Sequence, residues 1–180
     1  MALLVLGLLL WSFGHMARRA FPGFAQAMGP AALPAMIAVA TLGTAMMVIG
    51  YRDWFGEFYW GRTPALTGIN NLLMLVAVYL FAAAGMKTWV ARHLRNPMMI
   101  GVLIWSVAHL LVNGDTPSFV LFGGIGLWAL AQIAVINRTA WVPPVAKDGA
   151  GREIMAVIGT VIVYGAIAGV HYALGYPTFG

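Results

Sequence analysis

The sequence has no cysteine. That excludes a disulfide framework, a thiolate metal ligand and an iron–sulfur cluster held by this chain. Charge is nearly as scarce. Only 8% of the residues are charged and just five are acidic, whereas soluble chains carry about 25% charged residues. No carboxylate falls in the interior of a long apolar run. A non-haem metal site inside those runs would therefore have to be all-histidine, which argues against catalytic zinc. The same lack argues against a transporter, whose ion pathway needs buried ionisable groups.

What is present is apolar surface. Hydrophobic residues make up 62% of the 180 positions, and the mean hydropathy is +0.87. A water-soluble globule of this size has too little interior to hide that much. A soluble enzyme, a disordered tail and a nucleic-acid module are excluded. The isoelectric point near 10.0 rests on ten basic residues against five acidic ones, and so few charges read as membrane-topology signals. Length and composition predict a single membrane-embedded domain over residues 1–180.

The fold class expected is an all-α polytopic membrane bundle of about six spans, each needing roughly 20 apolar residues. The runs are Ala2–Arg19, Pro30–Tyr51, Leu66–Met86, Pro97–Asn113, Pro117–Asn137 and Glu153–Leu174. Pro30, Pro34, Pro97 and Pro117 sit where a helix can begin without losing a hydrogen bond. Pro143, Pro144 and Pro177 cannot continue the helices before them. The first run lacks a basic leader, and Arg18 and Arg19 follow it, so it reads as a retained span. The stretch Val142–Gly151 is linker-like.

Six spans divide the cations unequally. One face takes Arg18, Arg19, Lys87, Arg92, Arg95, Arg138, Lys147 and Arg152, and the other only Arg52 and Arg62. Positive charge marks the cytoplasmic side. Both termini are then expected outside. The outer loop Arg52–Pro64 is rich in Trp and Tyr, as an interfacial belt is.

Ionisable groups inside a bilayer are functional candidates by default. His15, His109 and His171 fall within spans, and His93 lies in the basic loop Lys87–Asn96. His15 reads either as an interfacial histidine beside Arg18 or as a ligand. His109 and His171 read either as interhelical hydrogen-bonding groups or as ligands. Two histidines on different helices can hold a haem iron from opposite faces. Gly123, Gly124 and Gly126 would admit a neighbouring helix or a flat ligand. Arg92 and Arg95, with His93, could hold a propionate or phosphate; lipid headgroups are the plainer occupant. Asn70 and Asn71 are expected to hydrogen-bond across helices, and Asp115 or Thr116 to cap the fifth span.

Several strings resemble the NnrU family of small bacterial membrane proteins. They are Gly7 to His15 followed by Arg18-Arg19, and Met46 to Arg52. The most specific match is Ala108-His109-Leu110-Leu111-Val112-Asn113-Gly114-Asp115 with Leu121-Phe122-Gly123-Gly124, and His171 to Pro177 also fits. The family is similar to the membrane domain of 15-cis-zeta-carotene isomerase, a haem b protein with two histidine ligands. That resemblance implies haem b held by His15 and His109, with redox or isomerase-like chemistry. Ser106 stands where the isomerase has a cysteine before its second ligand, so a switch to thiolate is not available here. The family name also implies a link to nitrite and nitric oxide metabolism, with nitrogen-oxide reductase or respiratory components as partners beside the lipid bilayer.

Depth along the helices points to another pair. At ~1.5 Å per residue, His15 lies roughly 20 Å below the outer end of its helix, whereas His109 and His171 lie about 6–9 Å below theirs. Straight, upright helices would pair His109 with His171, which is the runner-up partner. Two other classes compete with a haem protein. One is a non-catalytic partner or assembly factor of a respiratory complex. The other is an isoprenoid methyltransferase, because Arg95-Asn96-Pro97-Met98-Met99-Ile100-Gly101 faintly resembles that family's motif without its histidine or tyrosine.

Overall fold

The computed structural model describes residues 1–145 and 150–179. Lys147, counted among the cytoplasmic cations, and part of the linker Val142–Gly151 lie outside the described residues. The architecture is all-α apart from two short strands. In chain order come α1 (Ala2–Ala20), α2 (Pro22–Met28), a 3-10 turn (Gly29–Ala31) and α3 (Ala32–Arg52). Strand β1 (Phe58–Trp60), α4 (Pro64–Met86), α5 (Trp89–His93) and α6 (Pro97–Val112) follow. Strand β2 (Gly114–Asp115) pairs with β1, then α7 (Thr116–Ser118), a π-helical turn (Phe119–Gly123), α8 (Gly124–Ile136) and α9 (Ala150–Ala173) complete the chain.

Among the described residues, four helical stretches are long and apolar enough to cross a bilayer: Pro22–Arg52, Pro64–Met86, Thr116–Ile136 and Ala150–Ala173. Both remaining expected runs are helical but differ from these. Helix α6 has 16 residues, or ~24 Å, short of a ~30 Å hydrocarbon core. Helix α1 ends in Arg18 and Arg19, which dilute its apolar content. Helix α9 shows the solvent preference plainly. Ile154, Val157, Ile158, Val161 and Ile162 are exposed, whereas small Ala156 and Thr160 are buried. A helix with its large apolar side chains turned outward is built for lipid.

The chain divides into two compact units. The first comprises Met1–Tyr59 and Gly114–Arg138, the second Trp60–Asn113 and Thr139–Gly180.

In the first unit α1 and α3 run antiparallel with their backbones nearly touching. A Cβ placed on Gly7 would stand 2.7 Å from Met47 N, and one on Gly14 2.8 Å from Met36 O. From the other side, a Cβ on Gly43 would stand 2.5 Å from Trp11 N, and one on Gly50 would collide with Leu4 N. Each helix thus offers two glycines seven residues apart, the spacing that keeps one face toward a neighbour. Close approach of this kind replaces the hydrophobic driving force that helices lack in lipid.

In the second unit α4 packs on α6 and on α9, with Ala77, Ala83, Ala108 and Ala156 buried. Gly101 on α6 faces the Ala77 carbonyl. Helix α4 begins on Thr63, whose Oγ1 accepts the Leu66 N–H, and ends on Lys87 in the left-handed conformation (φ 55°). Arg152 then donates to the Met86 carbonyl at 3.1 Å, satisfying a helix-end acceptor.

Candidate functional site

The histidines share one local geometry. Nδ1 lies 2.9 Å from the Trp11 carbonyl in His15, and 2.9 Å from the Trp105 carbonyl in His109. It lies 2.8 Å from the Ile167 carbonyl in His171, and 2.8 Å from the Trp89 carbonyl in His93. A carbonyl oxygen only accepts, so Nδ1 carries the proton. Nε2 is then the nitrogen with a lone pair for a metal, the arrangement in which an N–H to carbonyl bond orients a ligating imidazole. In this respect the donor set fits a haem iron.

Three of the four imidazoles also lie against the tryptophan one turn earlier. The ring centroids are 4.2 Å apart for Trp11–His15, 4.6 Å for Trp105–His109 and 4.2 Å for Trp89–His93. The Trp-x-x-x-His spacing is visible in the sequence, because i and i+4 share a helix face. It recurs at exposed His93, which the structure places at the end of helix α5 and not in the loop expected from the sequence, so the pairing is a property of local helix geometry and does not by itself single out a ligand.

In the first unit His15 is exposed and meets α8 on one side. On α8, Gly124, Trp128 and Gln132 follow at intervals of four and form one stripe. Leu8 fills the space where a Gly124 Cβ would stand. The Trp128 indole meets Trp11 at 4.6 Å and 64°, and His15 at 5.8 Å and 79°. Gln132 Nε2 donates to the His15 carbonyl at 3.2 Å. Of the three glycines expected to admit a helix or ligand, Gly124 makes a packing contact, Gly126 is buried, and Gly123 faces open space. Further along, Asp115 Oδ1 accepts the Ser118 N–H at 2.8 Å and caps α7, and Ser118 Oγ lies 2.9 Å from the Tyr51 hydroxyl. Asp115 is thus the capping residue, while Thr116 donates to the Glu57 carbonyl.

His109 and His171 both belong to the second unit. His109 is half-buried at the end of α6, and Asn113 Nδ2 donates to its carbonyl at 2.8 Å. Hydrogen bonds join distant segments of this unit. Trp60 Nε1 donates to the Leu110 carbonyl at 3.1 Å, and Arg62 to the Pro177 carbonyl at 2.6 Å. Asn70 donates to Asn71 Oδ1, and Asn71 in turn to the Thr178 carbonyl at 2.9 Å. The side-chain bonds of the asparagines are thus not the interhelical ones expected: Asn71 holds the C-terminal segment beyond α9 and Asn70 bonds its neighbour. A cavity of about 580 Å³ lies beside it, lined by Arg62, Thr63, Thr67 and Phe179 among others and by no histidine.

Both arginines expected to hold an anion are engaged with backbone. Arg95 donates to the Thr139 carbonyl at 2.6 Å and Arg92 Nε to the Thr88 carbonyl at 3.4 Å. Sequence reasoning missed Gln132, Trp128 and Tyr51. A lone Gln in an apolar run was the available signal for the first of these. No group of three or more His, Asp or Glu that could hold a metal ion is found among the described residues.

No curated protein and no solved structure matches the chain. The family profile described as NnrU protein matches residues 3–178. With its apolar helices and the histidine-bearing strings now placed, the chain belongs to the NnrU family.

Proposed function

We propose that this chain is a multi-pass protein of the bacterial inner membrane that binds haem b through histidine. His109 and His15 are the iron ligands, with His171 as the alternative partner of His109. The observation that carries the reading is the shared Nδ1–H to carbonyl bond, which presents Nε2 as the ligating nitrogen of each intramembrane imidazole. Haem iron, when bound, would supply one-electron chemistry or a coordination position for a small molecule such as nitric oxide. The chain's own part would be to orient the imidazoles and to surround the group with apolar helices. In this reading the protein serves redox or isomerase-like chemistry linked to nitrite and nitric oxide metabolism.

The topology belongs to the same proposal. Helices α1 and α6 cross the membrane beside the four longer stretches, giving six spans with both termini in the periplasm. Tilt and local thinning of the bilayer accommodate the 16 residues of α6. The deciding experiment is the absorption spectrum of protein purified from haem-replete cells. A Soret band with a b-type pyridine haemochrome supports the reading. A colourless, folded preparation overturns it in favour of a non-catalytic partner of a respiratory complex.

A further inference from the structure

The stripe on α8 has a feature that packing alone does not require. Trp128 is 7% exposed and Gln132 is 4% exposed, yet Trp128 Nε1 and Gln132 Oε1 are buried without a hydrogen-bond partner. Leaving such atoms unsatisfied is unfavourable, and an apolar side chain of similar size would avoid it. What the two side chains do achieve is concentrated on one residue. Gln132 Nε2 holds the carbonyl of His15, and the Trp128 ring stands edge-on to its imidazole. Trp11 packs on the imidazole at 4.2 Å and is itself held by Trp128 at 4.6 Å. The Trp11 backbone is fixed independently by the close approach of Gly43. The His15 ring is thus bracketed by aromatic rings from α1 and α8, two helices of one unit, while its remaining surface stays exposed.

We propose that Gln132 and Trp128 are positioning residues for His15. Together they set the height and orientation of its imidazole, so that Nε2 is presented in one direction. The proposal rests on the reading of His15 as a functional imidazole. Gln132 acts through the backbone, by fixing the turn of α1 that carries His15. Trp128 acts through the ring, by excluding the side-chain rotations that would turn Nε2 back toward α8. Neither residue is asked to touch the iron.

The test uses the full chain, as purified in detergent from haem-replete cells. It compares wild type with Gln132→Met, Gln132→Glu and Trp128→Phe. Gln132→Met keeps the length and loses the donor. In Gln132→Glu, burial favours a protonated carboxyl that can still donate. The readout is the rate at which diethylpyrocarbonate modifies His15, followed by peptide mass spectrometry with His93 as internal reference. Gln132→Met should raise the His15 rate about fivefold, the factor that loss of one ordinary hydrogen bond corresponds to. Gln132→Glu should return it toward wild type, and His93 should not change. Trp128→Phe should also raise the His15 rate, and it carries the test should Gln132→Met not fold. Unchanged His15 reactivity in folded Gln132→Met or Trp128→Phe overturns the proposal, as does a parallel rise at His93. The absorption spectrum of the same samples separates this outcome from that of the haem reading. A colourless wild type whose His15 still responds would leave the positioning role standing and the haem reading refuted. A haem-loaded protein in which neither the His15 rate nor the haem spectrum responds to the substitutions would do the reverse, because an iron-bound Nε2 is itself shielded from the reagent.

Discussion

Glu153 accepts the backbone N–H of Trp89 at 2.6 Å across 64 positions of sequence. Its neighbour Arg152 donates to the Met86 carbonyl. Two adjacent charged residues at the start of α9 thereby satisfy the end of α4 and the start of α5. Replacing Glu153 with Ala should loosen the segment from Lys87 to Arg95. Trypsin cleavage after Lys87, Arg92 and Arg95 should then be about tenfold faster, as loss of a charge-assisted hydrogen bond implies. Unaltered cleavage rates would show that α5 is held by something else.

The glycine contacts of α1 and α3 make a contrasting pair of substitutions. Gly43→Ala places a methyl against the Trp11 backbone, where nothing flexible can yield. Overpacking of this kind costs about 1–3 kcal/mol, visible as a lowered thermal midpoint in detergent. Gly85→Ala on α4 meets open space and should be neutral or stabilising, since Ala exceeds Gly in helix propensity by up to about 1 kcal/mol. Equal effects at the two positions would contradict the packing described.

Haem content per protein should rank the histidines. His109→Ala is expected to lose haem most completely, because His109 belongs to both candidate ligand pairs. His93→Ala should be nearly silent. Loss in His15→Ala with retention in His171→Ala selects the pair that the resemblance implies. The opposite pattern selects the pair that helix depth implies. Full occupancy with an unshifted spectrum in His109→Ala would defeat both.

Asp115 stands in the string most specific to the family, yet its carboxylate is engaged as the cap of α7. Asp115→Ala should cost about 1 kcal/mol of stability and leave haem content per folded protein unchanged. A selective loss of haem would assign Asp115 a role beyond capping.

The absence of cysteine makes the proposed topology testable with single substitutions. Thr63→Cys should react with a membrane-impermeant maleimide on intact spheroplasts. Thr139→Cys should react only after permeabilisation. The reverse pattern would mean that the orientation is inverted, and labelling of both from outside that a span has been miscounted.

The helices were legible because proline and apolar run length mark them directly. Pro97 opens α6 as expected, and the run Leu66–Met86 differs from α4 by two residues at one end. The expected capping by Asp115 followed from a side chain acting on its own neighbourhood. What could not be read depends on register between distant segments. Gly7 and Gly43 are unremarkable in a chain with 22 glycines until α1 and α3 are set side by side. The Arg62–Pro177 and Gln132–His15 bonds join segments 115 and 117 positions apart, and neither partner has a local signature. His15, His109 and His171 were legible as polar groups within apolar runs, but only geometry revealed that each commits Nδ1 to its own helix.

The π-helical turn at Phe119–Gly123 sets the phase of everything that follows it. A π-turn holds one residue more than the α-turn it replaces, and one residue amounts to ~100° of rotation about the axis. Before it, Ser118 is aimed at Tyr51; after it, Gly124, Trp128 and Gln132 are aimed at α1. With an unbroken α-helix the two sets would be out of phase, and one of them would have to give up its partners. The turn behaves like a one-residue insertion that lets a single span satisfy two neighbours with different angular demands. Deleting one residue from 119–123 would straighten the helix and swing the Trp128 stripe away from His15, although no residue of the stripe itself is altered.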